Sequence, residues 1–202
     1  KHGKYTFELR DEVYWDDGSP FTAEDVAFSV KLMLCPLSNN SQIRGAYTTK
    51  IKSIEIDKNN PMKFTMHAQN VDWNNKFIFS ELYMVQKSIM DPKGVLDYIT
   101  FADLLSLDFK ETKALQEWFN EYNNADNSFL PNHLKGLGSY QVTEWKVSQY
   151  IILEKKSNWW GDKDASIYNN SYPEKIIFKI ISDQEEVVEA LLNQEIDVTT
   201  SL

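Results

Sequence analysis

Cysteine, glycine and clustered basic residues are all scarce in this chain, and each scarcity removes a class of function. One cysteine, Cys35, stands among 202 residues, so neither an internal disulfide nor a cysteine zinc cluster can form. Seven glycines leave no Gly-rich phosphate loop. The three histidines, His2, His67 and His133, are scattered, and none lies in a nucleophile motif of the kind hydrolase chemistry needs. No stretch approaches the ~20 apolar residues of a membrane helix. Lys1 to Arg10 has neither the apolar core nor the small-residue cleavage site of a signal peptide. If the protein is exported, its targeting segment is expected outside this chain. Net charge is −9 and no window concentrates Lys and Arg, which excludes the basic surface that displaces counterions from nucleic acid.

What is present is an ordinary soluble composition, 42% apolar and 25% charged, within the globular range. The unusual feature is aromatic content: six Trp, ten Tyr and eleven Phe. Aromatic rings give large contact area with polar tips, suited to gripping a ligand, although core packing accounts for most of them. Leu32-Met33-Leu34-Cys35 has the outline of a lipid-attachment box. It lies in a helical stretch without the small residues of such a box, so Cys35 reads as a buried structural thiol. Asn124, Asp126 and Ser128 alternate oxygen ligands but lack the central Gly and closing Glu of a calcium loop. The carboxylate pairs Asp16/Asp17 and Glu24/Asp25 are explained by turn and N-cap positions. No catalytic residue, metal site or cofactor is therefore assigned.

The apolar pattern predicts a mixed α/β chain. Tyr5 to Trp15 alternates as a strand, with Tyr5, Phe7 and Leu9 on one face. Asp16-Asp17-Gly18-Ser19-Pro20 is a turn. Thr22 reads as an N-cap whose hydroxyl accepts the Asp25 amide, opening a helix through Val26, Val30 and Met33 that Pro36 closes. Ile51–Asp57 and Met62–His67 form a hairpin around Lys58-Asn59-Asn60-Pro61. Phe77 to Met90 is apolar and fits strand or helix. Lys110 to Tyr122 is an amphipathic helix with Leu115, Trp118, Phe119 and Tyr122 on one stripe. Beyond a boundary near Gly136 the texture is β-β-β-α-β: strands at Tyr140–Trp145, Tyr150–Lys155 and Lys175–Ile181, a helix opened by the box Ser182/Glu185, and a strand at Glu195–Val198.

Two stretches resemble a known family. Tyr5-Thr6-Phe7-Glu8-Leu9-Arg10, Val13-Tyr14-Trp15 and Asp17-Gly18-Ser19-Pro20-Phe21-Thr22-Ala23-Glu24-Asp25-Val26 are similar to the signature of family 5 extracellular solute-binding proteins of ABC importers. Gly136-Leu137-Gly138-Ser139-Tyr140, Ser157-Asn158-Trp159-Trp160-Gly161 and Glu195-Ile196-Asp197-Val198 resemble the family's second conserved stretch. Departures are Ser139 for a proline, Trp159 for a tyrosine, Lys155-Lys156 for an Arg-Asn region, and Gln194 where a helix-ending glycine is common. A non-Gly residue in the left-handed region costs on the order of 1 kcal/mol, so the cap at Gln194 is expected to be built differently.

The resemblance implies a partial periplasmic-binding-protein-like, two-lobe fold with the second lobe absent. Residues 1–135 would be the small subdomain of the first lobe, with a helical insertion over about 91–132. Residues 136–202 would be part of that lobe's core. The implied function is capture of peptides, or of nickel chelates or oligosaccharides, in a cleft between lobes for delivery to an ABC permease. The implied location is the periplasm or cell surface, with membrane association only through a lipid anchor outside this chain. Tyr47, Phe79 and Glu81 are the implied ligand-facing candidates, while Asp17, Gly18, Thr22 and Asp25 are architecture. The competing classes are a hydrolase on a mixed α/β scaffold and a peptide-sensing or adhesion module outside transport.

Overall fold

Two units make up the chain in the computed structural model, which describes residues 3–164 and 170–199. One takes the chain up to Ser128 together with Lys135–Leu137; the other takes Phe129–Leu134 and the chain from Gly138 onward. His2 lies outside the described residues.

The first unit is a three-stranded antiparallel sheet, order β1-β3-β2, with helices around it. The strands are β1 Lys4–Glu8, β2 Ile51–Ile56 and β3 Lys63–Ala68. Their register aligns Tyr5, Met66 and Ile54 in one row and Phe7, Phe64 and Ile56 in the next. Side chains alternate across a strand, so these six share one face. Phe7 stacks on Phe64 with centroids 5.4 Å apart, and Phe64 and Met66 are buried. The opposite face is polar, with Thr6 and Thr65 hydroxyls 3.0 Å apart and His67 against Glu55 at 3.3 Å.

The strand expected over Tyr5–Trp15 stops at Glu8. Glu12 takes a positive φ of 63° and turns the chain. Val13 and Trp15 then belong to a second tight hairpin, in which Phe21 N–H donates to Val13 O at 2.9 Å and Trp15 N–H to Ser19 O at 2.9 Å. Gly18, at φ 81°, makes this turn, a backbone conformation that a side chain disfavours.

Helix α1, Ala23–Leu34, follows from Thr22. The Asp25 N–H goes to the Thr22 carbonyl at 3.1 Å, and the Asp25 carboxylate takes the Thr22 N–H at 2.9 Å. The same carboxylate accepts the Lys87 N–H at 3.0 Å, so a single buried acid caps α1 and anchors α4, Lys87–Met90. Nine of the twelve α1 residues are buried, which makes it the central helix of this unit. The chain leaves it in extended backbone at Cys35, as expected ahead of Pro36. Cys35 itself is free and buried, and burial pushes its thiol pKa up.

Short helices complete the unit: α2 Ser41–Thr48, α3 Asn75–Ser80, α5 Phe101–Leu105, α6 Lys113–Tyr122 and α7 Ala125–Ser128. The ambiguous run Phe77–Met90 is α3, an extended link and α4 in turn. Within residues 91–132 the regular elements are all helical, the 3-10 turn Val95–Tyr98 with α5, α6 and α7, and Leu96, Leu104, Leu115 and Phe119 from this region are buried. Trp118 stacks on Tyr122 and meets Phe28 of α1 edge-on. Asn124 Oδ1 accepts the Asp126 amide at 3.1 Å, a local turn opening α7.

The second unit is an antiparallel meander, β4 Tyr140–Lys146, β5 Tyr150–Lys155 and β6 Lys175–Lys179, followed by α8 Gln184–Leu192. Asp183 caps α8 rather than Ser182, accepting the Glu185 and Glu186 amides at 2.8 and 3.0 Å. Moving the cap by one residue lets a carboxylate meet the positive end of the helix. The expected strand at Glu195–Val198 is absent: no strand partner reaches it among the described residues. The cap that follows α8 also corrects its expectation. Gln194 adopts φ 60°, Glu195 N–H donates to Ala190 O at 2.8 Å and Gln194 N–H to Leu191 O at 3.1 Å. This is the Schellman pairing, built with glutamine where glycine is the usual occupant.

Candidate functional site

The three ligand-facing candidates separate in the structure. Tyr47 lies on the last turn of α2, half-buried, and Glu81 is the exposed C-cap of α3. Phe79 is 4% exposed and its ring meets Tyr5 edge-on at 5.4 Å, so it packs α3 onto β1. Helical spacing explains the division, since Asn75 and Phe79, four apart, both point inward.

Three tertiary contacts bring the end of α2 beside the entry to α3. Gln69 N–H donates to Lys50 O at 2.9 Å, Gln69 Nε2 reaches the Thr48 carbonyl at 3.5 Å, and Lys50 Nζ pairs with Asp72 at 2.7 Å. That ammonium, with the Asn74 amide, holds the Asp72 carboxyl below the usual range. Tyr5 Oη donates to the Asp72 carbonyl at 3.2 Å, fastening the same corner to β1. Partial burial raises the Tyr47 hydroxyl pKa, and the charges of Glu81 and Tyr83 raise it further. Glu81 and Tyr83 are both exposed where the chain leaves α3.

Tyr83, at 79% exposed, was not singled out from sequence; nor were Trp73, at 92%, and Phe77, at 58%. The available signal was the α3 period, which places Phe77 opposite Phe79. For Tyr83, in the irregular link after α3, periodicity carried no signal. A large exposed aromatic is worth explaining, because apolar area left in water forfeits about 25 cal/mol per Å².

A cavity of about 430 Å³ lies elsewhere on this unit, lined among others by Thr22, Glu24, Asp25, Lys87, Asp91 and Asp97. Its charged groups are committed to one another. Lys87 Nζ bridges Glu24 at 3.0 Å and Asp97 at 2.9 Å. Burial works against that ammonium, but the two carboxylates hold its pKa above the usual lysine value. Asp91 accepts the Val95 and Leu96 amides, both at 2.8 Å. Nearby, buried Gln86 donates to Asp17 at 2.7 Å and Ser19 at 2.9 Å. These residues hold the turn after β1, α1 and α4 together, and the cavity reads as a seam of architecture. Among the described residues no group of three or more His, Cys, Asp or Glu side chains could hold a metal ion.

Comparison with known proteins gives a consistent result. The family model of the bacterial extracellular solute-binding proteins, family 5 Middle, matches residues 1–202. The oligopeptide-binding protein OppA of Bacillus subtilis is 29% identical over 173 residues, covering 81% of this chain and 27% of that protein. The dipeptide-binding protein DppE of the same organism is 24% identical, covering 96% of this chain and 31% of the relative. Among solved structures, the oligopeptide-binding protein of Thermus thermophilus complexed with a pentapeptide superposes with a TM-score of 0.67 at 18% identity. The match covers 96% of this chain and 31% of that one. The chain thus spans about a third of the length of the relatives it matches. Among the described residues no helix is long and apolar enough to cross a membrane. Matched from end to end by the family model, and folded as its mixed α/β architecture requires, the chain belongs to the bacterial extracellular solute-binding proteins, family 5.

Proposed function

We propose that this chain is the part of an ABC importer's solute-binding component that contributes one wall of the ligand cleft, with peptides as the solute. The observation that carries the reading is the family match along the whole chain. The exposed Glu81 and Tyr83, two residues apart at the end of α3, support it, because a solvent-facing aromatic near a carboxylate suits a polar ligand with apolar side chains. Residues 1–135 act as the small subdomain of the first lobe and 136–202 as part of its core. The protein works outside the cytoplasm, held at the membrane by a lipid anchor or free in the periplasm. It binds rather than transforms its solute and needs no cofactor. Closure around peptide presents the liganded form to the permease, driven by the ligand's greater affinity for the closed state.

Mass spectrometry of ligands that co-purify with the complete protein tests the substrate class: peptides are expected, and a nickel chelate or an oligosaccharide in their place overturns it. Calorimetry with a peptide pool tests the one-wall reading. Tight binding is expected for the complete protein and at least about 100-fold weaker binding for this chain, since half the buried contact is missing. Equal affinities would refute it.

A further inference from the structure

The two outer strands of the first sheet are unlike. Helices α1, α2 and α5 pack against β2, and Ile51 on it is buried. Strand β1 pairs with β3 alone. The ladder fixes which of its backbone groups are left over. Ala68 N–H donates to Gly3 O at 2.9 Å and Leu9 N–H to Met62 O at 2.8 Å, and these pairs bracket the register from Lys4↔His67 to Glu8↔Lys63. Backbone groups along an antiparallel strand alternate between its two edges. Tyr5 and Phe7 therefore bond to β3, whereas Lys4, Thr6 and Glu8 turn their amides and carbonyls outward. No hydrogen bond reaches those outward groups among the described residues, and all three residues are exposed. An open edge is a template for another strand unless something blunts it. Here β1 has no proline, and its register runs without the irregularity seen between β2 and β3. Tyr5 and Phe7, both only half-buried, leave apolar surface on the same strand.

We propose that the outer edge of β1 is the docking site for one further strand, supplied by a segment of the same polypeptide outside residues 1–202. The relatives are about three times as long as this chain, and the family model it matches is that of a middle portion. A second copy is the weaker occupant. Two copies of β1 paired antiparallel about Thr6 would set Lys4 against Glu8, but a junction of two five-residue strands is short against the roughly 1,200 Å² that a stable interface buries. A tethered segment meets the edge at an effective concentration on the order of millimolar and needs no such area. The incoming strand alternates in character: polar opposite Thr6, and apolar opposite Tyr5 and Phe7, whose cover it completes. The inference goes beyond peptide capture and holds whatever solute is bound.

The test is residue-resolved amide hydrogen exchange on the complete protein, beside the 202-residue chain, both dilute enough to be monomeric. The Tyr5 and Phe7 amides, bonded to β3, should be protected in both. The Thr6 and Glu8 amides should exchange at least about 100-fold more slowly in the complete protein than in this chain. Thr6→Pro removes one outward amide and spares the ladder to β3. Thr6→Val is its reference, since it removes only the hydroxyl contact with Thr65. In the complete protein Thr6→Pro should melt several degrees below Thr6→Val, and in this chain the two should differ far less. Fast exchange at Thr6 and Glu8 in the complete protein overturns the docking, as does a Thr6→Pro variant there that melts with Thr6→Val. Protection that appears in this chain as its concentration rises assigns the edge to a second copy and overturns the same-polypeptide occupant. Each of these outcomes leaves the solute class to the co-purification experiment, so the two readings fail separately.

Discussion

The two units bury their apolar residues very differently. In the first, α1 is buried on nearly all sides and Phe64, Met66, Leu115 and Phe119 close the core around it. In the second, Ala190 is the only apolar side chain that reaches the same degree of burial among the described residues. Its strands nevertheless read as interior: Ile151-Ile152-Leu153 and Ile176-Ile177-Phe178 are continuous apolar runs, the pattern of a sheet covered on both faces. Consecutive strand residues point to opposite faces, yet Ile177 and Phe178 are 52% and 54% exposed. Leu192 of α8 is 78% exposed. One unit is a finished core; the other is a layer whose sequence asks for cover on both sides. The relatives are about three times as long as this chain.

The comparison can be broken most directly by separating the units. A protein of residues 3–137 is expected to melt cooperatively, while one of residues 129–202 should melt without a sharp transition and bind a hydrophobic dye, because its apolar faces stay wet. A sharp calorimetric transition for the second piece would end the distinction. Next in size are matched truncations within the intact chain. Phe119→Ala should cost about 3–5 kcal/mol in denaturant unfolding, the usual loss for a buried ring. Phe178→Ala should cost under ~1 kcal/mol here and much more in the complete protein. Similar losses at both sites in this chain would contradict the picture.

A smaller change sharpens the account of the second unit. Gln194→Gly relieves a left-handed residue inside an otherwise complete cap, so it should stabilise by about 1 kcal/mol. A loss of stability would mean that the glutamine side chain contributes something the backbone geometry does not reveal. The least effect concerns the first unit. Partial burial disfavours the Asp17 charge, but hydrogen bonds from Ser19 and Gln86 outweigh it and hold the carboxyl below the usual range. A depressed folded-state value stabilises above the ordinary carboxylate pKa, and that stability fades as pH falls through the folded value. Melting temperatures of Asp17→Asn and the natural chain should therefore differ slightly near neutrality and converge in acid. A constant gap across pH would remove the charge from the explanation.

Local chemistry was legible from sequence wherever it acted locally. The Asp-Gly turn, the Thr22/Asp25 box, the Ile51–His67 hairpin and the stripe of α6 all form as their residues require. The misplaced elements share a cause. The run to Trp15 alternates throughout, but Glu12 turns it, and Val13 and Trp15 pair with a different segment. Ser182 and Asp183 are equally good caps by residue type, and only the path of the chain into α8 chooses between them. Glu195–Val198 has strand composition but finds no strand partner among the described residues.

The candidate residues divide along the same line. Sequence alone determined the family, because its signature residues build turns and helix caps through neighbours a few positions away. It also showed one cysteine and three scattered histidines. Only the tertiary structure decided which aromatics of one apolar run face water, placing Phe79 against Tyr5 and leaving Tyr83 outside. It alone fastened the end of α2 to the entry of α3, through Gln69 and the Lys50–Asp72 pair. Burial and charge neighbourhood are sums over distant segments, and no local pattern contains them.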